Sequence, residues 1–144
     1  MLRAIIVSPD KELGGGLEEL FVELGHVGVT RNLQRYPTAL ELTRVMRAHA
    51  PHVIFVGIGE LPKAMELVRE VEAEHPGVQF VAIHRICEQP VLLELMRAGV
   101  REFLAPPFNR QAVLELAARL HEVAEKRPLS VESTNMVFAF LPSK

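Results

Sequence analysis

Five short apolar runs, each followed by a stretch whose apolar residues recur at helical spacing, constrain this chain more than any other feature. Ala4-Ile5-Ile6-Val7 is the first. It stops at Ser8-Pro9-Asp10, where proline removes a backbone donor and aspartate favours a turn. Leu13, Leu17, Leu20, Phe21 and Leu24 then fall on one helical face, and Gly25 ends that helix. A short strand over 26–30 leads to a second helix over 38–49, with Leu42, Val45 and Met46 inward, stopped at Ala50-Pro51. Val53-Ile54-Phe55-Val56 is the third strand, closed by Gly57, and its helix buries Ala64, Leu67, Val68 and Val71. Phe80-Val81-Ala82-Ile83 is the fourth, followed by a helix over 90–98 that ends at Gly99. Glu102-Phe103-Leu104 is a short fifth strand, and Asn109 caps a last helix built on Val113, Leu116, Ala117, Leu120 and Val123.

Strands that are apolar throughout, rather than alternating, are buried on both faces. With a helix after each, they call for an α/β domain with a doubly wound five-stranded parallel sheet and right-handed crossovers. Ligand sites in such sheets lie beyond the carboxyl ends of the strands. Here those corners are Ser8 to Asp10, Gly57 to Gly59, His84 to Arg85, and Ala105 to Pro107.

Composition narrows the classes of partner. The chain has 144 residues and a net charge of −2, with basic residues scattered among acidic ones, so no surface is expected to neutralise a nucleic-acid backbone. No stretch approaches the roughly 20 apolar residues of a membrane span, so direct membrane insertion is not expected and a cytoplasmic location is. Cys87 is the single cysteine and reads as a small, inert apolar residue. His49 and His52 are separated by Pro51 with no second pair following, so no metal site is expected. Gly14-Gly15-Gly16 begins seven residues after Val7, too late for a dinucleotide fingerprint, and is expected to be a flexible exposed loop.

The order of elements, the phrase Pro51-His-Val-Ile-Phe-Val-Gly57, and above all Met96-Arg-Ala-Gly-Val-Arg-Glu-Phe-Leu-Ala-Pro-Pro-Phe108 resemble the response-regulator receiver family over residues 1 to about 126. The resemblance implies the CheY-like, flavodoxin-like fold with strand order 2-1-3-4-5, and a cis bond between Pro106 and Pro107. It also implies the positions of the family's phosphotransfer chemistry. The acceptor carboxylate falls on Gly57, the acidic pair on Ser8 and Pro9, the hydroxyl on His84, the lysine on Pro106, and the switch aromatic on Phe103. Of these corners only Asp10 keeps a carboxylate. An acyl phosphate needs an oxyanion nucleophile, hard oxygen ligands for a divalent ion and a cation for the phosphoryl charge, so a degenerate, non-catalytic receiver is expected. Phe103 is expected in the core, and His84 is expected to be a half-exposed, hydrogen-bonded histidine.

Residues 1–127 are expected to form this domain, and 128–144 a linker followed by a new strand, Met136-Val-Phe-Ala-Phe-Leu141. That strand and Lys144 resemble the start of a ParA/MinD-type P-loop ATPase. ATP and magnesium are therefore expected only for a missing downstream domain, and no cofactor for this chain. The combination resembles the CpaE/TadZ family of pilus-assembly proteins. It implies an interaction and localisation module that is not an enzyme, with protein partners in pilus or secretion machinery and a polar or membrane-associated position reached through them. A homodimer is expected through the face of the fourth helix, fifth strand and fifth helix, carrying Val91, Leu93, Arg97, Arg101, Glu102 and Glu115. Two alternatives stand beside it: a phosphorelay receiver with an unusual acceptor such as Asp10, and a small-molecule sensor using the vacated corner.

Overall fold

Residues 1–126 of the computed structural model are described below, and the expectations for 128–144, the Met136–Leu141 strand and Lys144 included, lie outside them. The chain forms β1 (Leu2–Val7), α1 (Lys11–Leu24), β2 (Val27–Leu33), α2 (Ala39–His49), β3 (Val53–Gly57), α3 (Leu61–Glu74), β4 (Gln79–Ile83), α4 (Gln89–Arg97), β5 (Glu102–Leu104) and α5 (Arg110–Lys126). All pairings are parallel, in the order β2-β1-β3-β4-β5.

The uninterrupted apolar strands divide their side chains between two cores. Ile5, Val7, Ile54, Val56, Phe80 and Ala82 face α2, α3 and α4, meeting Leu42, Met46, Ala64, Leu67, Val68, Val71 and Leu95. Their neighbours Ala4, Ile6, Val53, Phe55, Val81 and Ile83 face α1 and α5, meeting Leu13, Leu17, Phe21, Val113, Leu116 and Leu120. Phe21 and Phe55 stack at a tilt with ring centroids 5.2 Å apart, a favoured aromatic geometry.

Helix ends follow the sequence signals. Thr38 and Glu41 form a reciprocal capping box on α2, and Asn109 accepts the Ala112 amide at 3.0 Å to cap α5. Gly25 and Gly99 follow α1 and α4 at φ +76° and +100°, conformations that disfavour any side chain.

Two expectations are corrected. The Gly14-Gly15-Gly16 run is not a loop but lies inside α1, because Asp10 accepts the Leu13 amide at 3.2 Å and so starts the helix before the glycines. Gly14 is needed there for close packing, since a Cβ would come within 3.1 Å of the Ser8 Cβ. Cys87 is exposed, in the segment between β4 and α4. The second strand also runs on to Leu33. It sits at the sheet edge, where polar residues are tolerated, and a register shift opposite Ala4 and Ile5 leaves Thr30 as an extra residue.

Candidate functional site

β1, β3, β4 and β5 end together at one rim of the sheet, which brings Ser8, Gly57, His84 and Pro106 to the same corner. Ser8 is buried, its amide donating to the Leu33 carbonyl and its hydroxyl to the Asp10 carbonyl, both at 2.8 Å. The serine is thereby held in its own turn. Gly57 packs against it so closely that a Cβ at position 57 would sit 3.3 Å from the Ser8 Cα and Oγ and 3.4 Å from the Val7 carbonyl oxygen. The Gly57 carbonyl accepts from the Tyr36 hydroxyl, which also lies 3.5 Å from the Glu60 amide. Burial pushes the Tyr36 phenol above its ordinary value.

Asp10 does two jobs at the mouth. It caps α1, and it receives Arg85 in a bidentate pair, Nε to Oδ2 at 2.6 Å and Nη2 to Oδ1 at 2.9 Å. The Arg85 hydrogen bond is the main reason that the Asp10 carboxyl is held below the usual aspartate value. Glu12 adds a longer contact to the same guanidinium at 3.4 Å. The donor set therefore fits a divalent cation poorly: both Asp10 oxygens are already hydrogen-bonded, Glu12 is turned to Arg85 and Glu60 to Lys63, and no three potential ligand side chains gather here among the described residues.

Beneath this bridge, Ser8, Pro9, Asp10, Gly57, Gly59 and His84 help line a cavity of about 130 Å³, below the usual size of a small-molecule pocket. His84 is half-buried, and its amide donates to the Leu104 carbonyl at 3.2 Å. Its ring makes no hydrogen bond among the described residues, contrary to expectation, because the groups nearest this corner are already committed to one another. The Pro106–Pro107 bond is cis. Phe103 is half-buried and packs against the core on the α2, α3 and α4 side of the sheet.

The predicted docking residues separate by environment. Leu93, Arg97, Arg101 and Glu115 are exposed. Val91 is half-buried against the core, and Glu102 accepts Arg119 through both oxygens at 2.8 and 2.9 Å. The structure adds two exposed apolar residues, Met96 on α4 at 57% exposure and Ile86 ahead of that helix at 62%. Ile86 had no periodic signal, since it precedes the helix. Tyr36 was likewise missed, and Arg85 was placed at a corner without its partner, because the groups they bind are 21 and 75 residues away in the chain.

No family model matches the sequence, and no curated protein matches it. Solved structures do. A protein assigned to pilus assembly (cpaE) from Burkholderia thailandensis superposes at TM-score 0.68 and 25% identity, covering 87% of this chain and 99% of that one. A CheY-like protein (tadZ) from Pseudomonas aeruginosa gives 0.70 and 20%, covering 83% and 93%. A response regulator from Thermotoga maritima gives 0.70 and 15%, covering 83% and 97%. The chain has the receiver fold. Its strand order and its cis Pro106–Pro107 bond agree with what the sequence resemblance implied. No helix among the described residues is long and apolar enough to cross a membrane.

Proposed function

We propose that this receiver-fold domain is a non-phosphorylatable protein interaction and localisation module of a CpaE/TadZ-like pilus-assembly protein. The observation that carries the reading is the state of the corner. Gly57 offers no acceptor atom and leaves little room for one, Asp10 is paired with Arg85, and Pro106 supplies no ammonium. Phosphoryl transfer requires all three of the missing functions together. The likeness to a solved protein assigned to pilus assembly supports the choice of partner class.

With the corner inert, function moves to the outer face. Leu93 and Met96 lie three apart on α4, beside Arg97, and Arg101 follows before β5. An apolar centre with charged residues around it is the usual anatomy of a docking surface. The domain acts there by binding, through a homodimer or a protein of the pilus machinery, and carries no reaction of its own.

Sedimentation of the purified domain tests this face. A dimer that dissociates in Arg97→Glu/Arg101→Glu and in Met96→Asp, with folding unchanged, is the expected result. In the native host the same substitutions should reduce pilus output. Full pilus output and unchanged association in both variants would refute the assignment.

A further inference from the structure

We infer that Arg85 is a built-in latch, a fixed cation that ties the segment between β4 and α4 to the N-terminus of α1 and holds that segment in one position. Three observations lead there. Its contacts span the corner, joining residues 73 and 75 positions apart in sequence through three hydrogen bonds to Asp10 and Glu12. The receiving end is rigid, because Asp10 is itself the N-cap of α1 and its carbonyl holds the Ser8 hydroxyl.

The tied segment has little else to hold it. The His84 amide reaches the Leu104 carbonyl at 3.2 Å, and the next backbone bond along the chain is the Leu92 amide to Glu88 within α4. Between them Ile86, Cys87 and Glu88 are exposed, and among the described residues the Arg85 side chain makes this segment's hydrogen bonds to another element. A bidentate guanidinium–carboxylate pair fixes orientation as well as distance, which a single-point contact does not. Because the cation is covalently part of the chain, it cannot be exchanged for a dissolved ion. The consequence for docking rests on the function proposed above: Ile86, Leu93 and Met96 are presented continuously rather than on a signal.

Cys87 is the sole cysteine and lies two residues from Arg85, so a nitroxide attached there reports on the latch without further mutation. In the whole chain, the label should gain mobility in Arg85→Ala and in Asp10→Asn, and the double variant should move no further than either single one. Asn retains the ability to cap α1, so loosening in Asp10→Asn reports the lost ion pair and not a lost cap. Molar salt should loosen the parent and leave Arg85→Ala unchanged, since exposed pairs are screened. Unchanged mobility in both single variants, or additive changes in the double one, would overturn the latch. Phosphoryl transfer to the chain would overturn the proposed function while leaving the label result standing, so the two failures are distinguishable.

Discussion

Restoring a side chain at position 57 is the perturbation that most directly probes the geometry of the corner. Gly57 has no positive φ, so the backbone accepts any L residue and the cost is one of space. In Gly57→Ala the new methyl would lie 3.3 Å from the Ser8 Cα and 3.4 Å from the Val7 carbonyl oxygen, both backbone atoms where β1 ends and its turn begins. The paired strands must separate by a few tenths of an ångström, and overpacking of a filled site costs about 1–3 kcal/mol. Replacing glycine also reduces the freedom of the unfolded chain, which offsets the loss by about 0.4–1 kcal/mol. The net expectation is a destabilisation of about 1–2 kcal/mol, or roughly 3–8 °C in melting temperature for a domain of this size. Gly57→Asp should cost more, because a carboxylate is added to the same crowded site. It should still acquire no phosphoryl group while Asp10 is held by Arg85. Urea titration with matched slopes measures the first effect. A Gly57→Ala variant as stable as the parent would show that Ser8 and β1 yield freely and that the corner is not closed by packing.

The glycines of α1 give a paired test read by the same titration. Gly15→Ala meets nothing within 4 Å and should stabilise the helix by about 0.5–1 kcal/mol, whereas Gly14→Ala would meet the Ser8 Cβ at 3.1 Å and should not. Acid stability tests the Asp10–Arg85 pair. A carboxylate whose folded value is lowered contributes stability above its unfolded value, and that contribution is lost as pH falls through the folded value. The stability gap between the parent and Asp10→Asn should therefore be constant near neutrality and close below about pH 4. A gap that persists in acid would assign the effect to something other than the ion pair.

Much of the fold was legible because both of its periodic signals are local. The apolar runs at Ala4, Val53 and Phe80 and the helical stripes between them fixed the order of elements, and Met96 to Phe108 carried the turn with its cis bond. The errors came where a distant contact decided the local structure. Gly14 to Gly16 read as a loop, since nothing in the glycines announces that Asp10 caps the helix ahead of them or that Ser8 leaves no room for a Cβ at Gly14. Edge position, a property of the whole sheet, let Arg31 and Asn32 continue β2. At the corner the residue types were readable but their engagements were not. Asp10 was visible as a lone carboxylate, while its partner Arg85 comes from a segment with no periodicity of its own.

The proposed function requires that this receiver fold perform no phosphotransfer. Incubation of the intact protein with acetyl phosphate and Mg²⁺, followed by whole-protein mass measurement, tests it most directly. An unchanged mass is predicted under conditions that label an ordinary receiver. A hydroxylamine-labile phosphoryl increment on Asp10, or on any other carboxylate, would contradict the account.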